Sequence, residues 1–349
     1  MCKTIAIILL AWIGSLPLAQ AQDKGFRFLD HLDRKQIDVT YNGKVLAEYL
    51  YFDSLMKPVL FDLHTISGVV VTRGFPLKPR EGERMDHPHH IGLWMNYESV
   101  DGFDFWNHST AISFADRKKY GTIRHDGVVR TDSEKNRSTL EVTARWLTPD
   151  NRILLRENTT YFFSVSVNDG NFIVDRVTTL TALEKDVPFK DAKDGLLGLR
   201  VARELELPSD KPETYVDSHG NPTVMPTIDN KDVSGMYVSS EGLQGDAVWS
   251  SRGRWVNLYG AKDGKKVSIL IIDHQKNVGY PTFWHARGYG LFAANPLGQE
   301  VFSQGKHRLN FVLKKNESTT FRYRIVIHEG PVMSVNDIER LVRAFSKVN

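Results

Sequence analysis

Cysteine is almost missing: Cys2 is the only one in 349 residues. It lies in an expected leader, so the mature chain would carry no disulfide and no thiol nucleophile, and its core must hold it together unaided. Beyond the first twenty residues there is no apolar run of membrane length, which excludes a helical membrane span. Dense basic runs are also missing. The formal charge is +3, falling to +2 (3 − 1) if Lys3 is removed, and acidic and basic residues are interspersed, so nucleic acid is not an expected partner. No P-loop, Rossmann glycine fingerprint, G-x-S-x-G elbow or H-E-x-x-H occurs. No repeat of blade or solenoid length occurs either, which counts against a propeller or a β-helix.

What stands at the start is a leader pattern. Lys3 is followed by an apolar run over residues 5–18 and by Ala19-Gln20-Ala21, a small-x-small cleavage site. The expected organisation is a signal peptide over residues 1–21, then one β-sandwich domain over residues 22–349, exported to the periplasm or the medium.

The rest of the chain alternates with period two. Leu140, Val142, Ala144 and Trp146 share one face of a predicted strand, and Phe321, Tyr323, Ile325 and Ile327 share one face of another. Asn42-Gly43 between "QIDVTY" and "KVLAEYLY" predicts a two-residue hairpin, because both turn positions want φ > 0. "VLFDLHTI", "GVVVTR", "TTYFFSVSV", "FIVDRVTTLTAL", "WVNLYGA" and "KVSILIID" read as further strands. One stretch reads as helix: Asn336 with Glu339 as a capping box, then Ile338, Leu341, Val342 and Phe345 on one stripe. Residues 208–235 are rich in turn formers and read as a long loop. Many strands and little helix predict an all-β fold, a large antiparallel two-sheet sandwich with a short C-terminal helix.

Chemistry concentrates in three segments. Residues 86–109, "DHPHHIGLWMNYESVDGFDFWNHS", bring His87, His89 and His90 beside Trp94, Asp104 and Trp106. In an extended chain His87 and His89 would share a face, and Pro88 restricts the residue before it to extended geometry. Residues 190–207 hold Asp194, the best carboxylate for acid–base work, and Arg200. Residues 273–298 hold Asp273, His274, His285, Arg287, Tyr289 and Asn295. Trp255 is a fourth contributor.

Indole rings beside carboxylates and amides suit sugars: the ring packs on the C–H face while the polar groups bond hydroxyls. The expected catalytic groups are His87, His89, Asp194 and His285. The expected substrate contacts are His90, Asp104, Trp106, Arg200, Trp255, Arg287, Tyr289 and Asn295. No cofactor is called for. A divalent metal would need a third ligand beside two histidines, and spacing does not supply one.

At "HPHHIGLWMNYESVDGFDFWN", "DAKDGLLGLRVA" and "YPTFWHARGYGLFAANPLG" the chain resembles the exported bacterial family labelled "methane oxygenase PmoA-like". The resemblance implies a large sandwich similar to the galactose-mutarotase-like supersandwich and an association with carbohydrate use. It implies no oxygen chemistry, since the methane oxygenase subunit of that name spans the membrane many times and this chain has no spans. The reading is therefore an exported carbohydrate-active enzyme using His/Asp acid–base chemistry in epimerisation, elimination or glycoside cleavage. Richness in His over Glu favours proton transfer. The alternatives are a non-catalytic carbohydrate-binding module and a His-ligated metal-dependent hydrolase.

Overall fold

The computed structural model describes residues 24–226 and 229–348. The expected leader lies outside them. Two eight-stranded antiparallel sheets carry the fold. The first sheet runs, in spatial order, through Phe26–His31, Gln36–Tyr41, Lys44–Leu50, Val59–Phe61, Leu93–Tyr97, Gly195–Arg200, Leu291–Asn295 and Phe283–Ala286. The second runs through Met236–Ser239, Trp255–Lys262, Lys265–Asp273, Ser318–Glu329, Asn171–Ala182, Ile153–Ser166, Arg137–Leu147 and Thr122–Ser133. The all-β two-sheet sandwich with a short C-terminal helix is the architecture found.

Alternation puts the expected faces inward. Leu140, Trp146, Phe321, Tyr323, Ile325 and Ile327 are fully buried, and Val142 and Ala144 nearly so. They join residues of the first sheet in one apolar core, where each fully buried large side chain contributes roughly 1.5–3 kcal/mol. Polar ties cross between the sheets too, as where Tyr49 Oη meets His125 Nδ1 at 3.1 Å. The Asn42-Gly43 hairpin forms as predicted, with φ of 49° and 77° at the two turn residues.

Three local expectations are corrected. "GVVVTR" makes only isolated bridges, Val70 with His64 and Thr72 with Val201. The segment over 208–235 includes a two-stranded ribbon, Glu213–Val216 with Pro222–Met225. The C-terminal helix, Val335–Phe345, is capped by Ser334, whose side chain accepts from the Asp337 N–H. Glu339 instead binds Arg254 and Trp255.

The first sheet has a second apolar layer on the face turned away from the main core, built from Trp94, Trp106, Ala293, Leu291 and neighbours. Pairing explains it: Trp94 lies opposite Gly198, and Gly198 opposite Ala293. A Cβ on Gly198 would come within 2.4 Å of the Trp94 ring and 2.8 Å of Trp106. Glycine there makes room for two indoles, tilted 58° to each other, to pack against the sheet, and the three chemical segments gather on that floor.

Candidate functional site

The histidines do not lie in an extended chain. His87 has φ of +44°, and the His90 N–H donates to the His87 carbonyl at 2.9 Å, so residues 87–90 form a tight turn. The turn clusters all three rings. His87 stacks on His90 with centroids 4.8 Å apart, and His89 is 5.6 Å from His87 and 4.4 Å from His90. A non-glycine residue in the left-handed region costs energy and persists only where its surroundings hold it. Arg73 does the holding: its guanidinium donates to the carbonyls of Arg84, Asp86, His87 and His90.

Beside the turn lies Asp86. Its Oδ2 takes a hydrogen bond from His87 Nδ1 at 2.6 Å. Its Oδ1 accepts from Arg73 and Arg200, both at 2.6 Å. Burial alone would raise this carboxyl, but the bond from His87 and the two guanidiniums hold it well below the usual carboxylate range. An ionised carboxylate on Nδ1 fixes the tautomer and leaves Nε2 of His87 free to exchange a proton. The His87 side chain is 41% exposed.

On the other side stands Asp194, in the turn before Gly195–Arg200. Its backbone is tied to Glu98 in both directions. Its Oδ1 lies 3.5 Å from His285 Nδ1, which has no hydrogen-bond partner. Burial pushes the Asp194 carboxyl up, with Lys193 opposing and Asp104 adding to the rise. Burial also drives the His285 imidazole down to about 3, so the ring is neutral. His87 is close enough to bear electrostatically on both Asp194 and His285.

A cleft of about 570 Å³ opens at His87 and Asp86 and is walled by Arg287, Tyr289, Trp249 and Lys211. It falls within the roughly 300–1,000 Å³ range of small-molecule sites. The Arg287 guanidinium lies 4.7 Å from the Trp249 ring centroid and 5.7 Å from that of Tyr289, and it makes no ion pair among the described residues. Tyr289 in turn stacks on His87 at 5.1 Å. The arrangement presents one oriented imidazole, the cations of Arg287 and Lys211 and two aromatic faces to the same space.

The three segments thus converge, but several expected substrate contacts are supports. Arg200 is fully buried and holds Asp86, so it cannot reach a ligand. His90 is 1% exposed, wedged between His87 and Trp94. Trp106 is likewise 1% exposed and packs under Trp94, so it offers no stacking platform. Both polar atoms of the Asn295 amide are spent, Nδ2 donating to the Ala192 and Lys193 carbonyls and Oδ1 accepting from the Leu297 and Gly298 N–H groups; it anchors the turn that carries Asp194. Asp104 accepts from Trp106 and Asn107, closing its own turn. Trp255 lies in a separate cluster under the C-terminal helix, bonded to Glu339. Asp273 and His274 are also remote: Asp273 is buried and braces the loop through Asn277 and Thr282. His89 is 9% exposed and faces a different cavity from that at His87. Among the described residues no three His, Cys, Asp or Glu side chains group as metal ligands, so the metal-hydrolase alternative finds no donor set.

Sequence reading missed Arg73, Arg84, Glu206, Lys57 and Trp249. Arg84 and Glu206 form a buried pair at 2.6 Å beside Arg200. Burial raises Glu206 to about 7 against the pull of Arg200 and Arg84. Arg73 and Arg84 lie within the stretch "RGFPLKPREGERMD", which carries no motif, and only its surplus of charge marks them. Trp249 follows a turn with no local pattern at all.

No curated protein matches the sequence. Among solved structures, the galactosidase domain of an α-galactosidase–sucrose kinase is 11% identical, with a TM-score of 0.40, covering 87% of this chain and 42% of that one. An α-galactosidase from Geobacillus stearothermophilus is 12% identical with a TM-score of 0.36, covering 87% and 40%. A galactose mutarotase related enzyme from Lactobacillus acidophilus is 9% identical with a TM-score of 0.27, covering 87% and 97%. The chain spans about two fifths of the length of the two galactosidases. No helix among the described residues is long and apolar enough to cross a membrane. A family model matches residues 36–343 and carries nothing of the methane-oxygenase label: this chain belongs to DUF6807, a family of unknown function.

Proposed function

We propose that this protein is an exported carbohydrate-active enzyme that moves protons on a sugar, with His87 as the acid–base group. The observation that carries the reading is the Asp86–His87 bond of 2.6 Å at the wall of a sugar-sized cleft. The Asp86 carboxylate also neutralises Arg73 and Arg200, but its second oxygen is bonded to an exposed imidazole held at the cost of a left-handed backbone residue, which that neutralising role does not require. Asp194, with His285 against it, is the opposing group: it lies outside the lining of that cleft but within electrostatic reach of His87, and burial raises its carboxyl. Arg287 holds a carboxylate or hydroxyl pair, and Trp249 and Tyr289 pack on the ring.

Elimination or epimerisation fits better than glycoside hydrolysis, which usually wants two facing carboxylates. Here the exposed acid–base group is an imidazole whose own carboxylate is locked in ion pairs. The test is incubation with a panel of neutral and acidic glycans, read for new reducing ends, for the ultraviolet absorbance of an unsaturated product, and for deuterium taken up from solvent at a sugar carbon. Activity lost in His87→Ala supports the reading; binding with no turnover in any channel removes it in favour of a carbohydrate-binding module.

A further inference from the structure

A second polar region lies beyond the histidine turn. A cavity of about 270 Å³ is lined by Ser54, Lys57, His89, His108, Ser109 and Thr110, with an apolar wall that includes Leu55 and Leu77. A neighbouring cleft of about 520 Å³ shares His108 and adds Arg117, Lys118, Arg124 and Phe114. Neither lining contains an aspartate or a glutamate.

The cations meet at His108. Its imidazole is pushed down first by burial and then by Arg117, Lys57 and Arg124, so all three lie within electrostatic reach of one ring. Their charge is poorly matched by the protein. Lys57 is 4% exposed, donates only to the His89 carbonyl, at 2.8 Å, and rests over the Trp94 face. The one carboxylate that bears on it, Asp104, is occupied by Trp106 and Asn107. The Nε2 atoms of His89 and His108, residues 9% and 6% exposed, are buried without a hydrogen-bond partner. Arg124 serves the backbone carbonyls of Asp53 and Leu55, and Arg117 only that of Ile112. Phe114, 88% exposed, stands at the mouth of the outer cleft.

A buried ammonium without a counter-charge is costly, and a ligand carboxylate supplies what the protein omits. Further cations along an open groove attract a ligand with charge at more than one position, and an exposed ring beside them suits a pyranose face. We propose that the two cavities form a binding subsite for an acidic saccharide, with Lys57 and His89 taking one uronate carboxylate, His108, whose Nδ1 donates to the Gly121 carbonyl, accepting from a hydroxyl at Nε2, and Arg117 and Lys118 facing the next carboxylate. The anionic character stands on the groove itself; that the ligand is a saccharide rests on the proposed function. His89 places the inner cavity next to the catalytic histidine, 5.6 Å from ring to ring, so the subsite would extend the reaction cleft along one chain.

The test is calorimetric binding of a tetragalacturonate, a neutral tetrasaccharide and a tetraglutamate to the full chain at low and high salt, for wild type, Lys57→Met and the exposed double variant R117Q/K118Q. The acidic tetrasaccharide should bind about tenfold or more tighter than the neutral one, lose most of that margin in Lys57→Met and several-fold in R117Q/K118Q, and weaken with salt. Thermal melting checks that each variant is folded, and the double variant, confined to the surface, keeps the test open if Lys57→Met is not. Equal affinity for the neutral sugar, or no loss in a folded variant, overturns the inference. Tetraglutamate binding as tightly as the uronate overturns the saccharide assignment. Binding by this pattern with no turnover defeats the enzyme reading alone; turnover of neutral glycans with no acidic preference defeats this inference alone.

Discussion

Asp86 bonds His87 Nδ1 through one carboxylate oxygen, while its other oxygen accepts from Arg73 and Arg200. The catalytic candidate is therefore fixed by a buried ion network whose arginines come from two other segments of the chain. This separates the residue that reacts from the residues that hold it, and the two kinds should fail differently.

His87→Ala removes a 41% exposed ring whose only polar side-chain partner is Asp86. Turnover should fall by about 10²–10⁴-fold, the usual worth of a positioned acid–base group, with the melting temperature little changed. A steady-state assay beside a thermal melt checks it. Loss of fold with loss of activity would move His87 to the supporting class.

Asp86→Ala should fail as a fold. It leaves Arg73, 1% exposed, without its ion-pair partner and Arg200, 0% exposed, with only Glu206 at 3.8 Å, which costs about 3–5 kcal/mol for a broken buried pair. The pH sign follows from the lowered carboxyl. The folded value lies below the ordinary 3.8, so the network's contribution is complete above that pH and is lost as pH falls through the folded value. Denaturant titration from neutral pH downward should show an acid-side loss in wild type that is smaller in a soluble Asp86→Asn variant.

Lys57 gives a prediction of the opposite kind. Burial pushes its amine from the ordinary 10.5 to about 7, with Asp104 opposing. Between those values the unfolded chain binds more protons than the folded one, so stability rises with pH across that window. Asp104, His89 and His108 face the amine, and the two imidazoles are already lowered by burial and so stay neutral throughout. In Lys57→Met the rise above neutral pH should be smaller, and the variant should be the more stable protein near pH 7 in urea melts.

Arg287→Ala and Trp249→Ala should weaken substrate binding more than the chemical step. Arg287 touches only aromatic rings in the protein, and Trp249 is 43% exposed, so neither change leaves a buried group unpaired. A rise in KM of about tenfold with kcat largely kept is expected for contacts made equally in ground and transition states. A collapse of kcat at unchanged KM would place Arg287 in the reaction itself.

Sheet architecture was readable in the chain because alternation, hairpin chemistry and strand length are local properties: Leu140 to Trp146 and Asn42-Gly43 specify their own geometry. The concentration of chemistry in three segments was equally local. Convergence of those segments needed the pairing of Leu93–Tyr97 with Gly195–Arg200 and of that strand with Leu291–Asn295, which no spacing rule predicts. Roles within the cluster were not readable at all. Arg200, His90, Trp106 and Asn295 look like contacts in sequence and are supports in space, because burial depends on which face of which strand the neighbour covers. By itself the sequence determined a two-sheet protein with imidazoles and indoles gathered near one strand. Tertiary structure alone decided that Arg73 locks the turn, that Asp86 orients His87, and that Lys57 is left without a counter-charge, since each depends on partners brought in from distant segments of the chain.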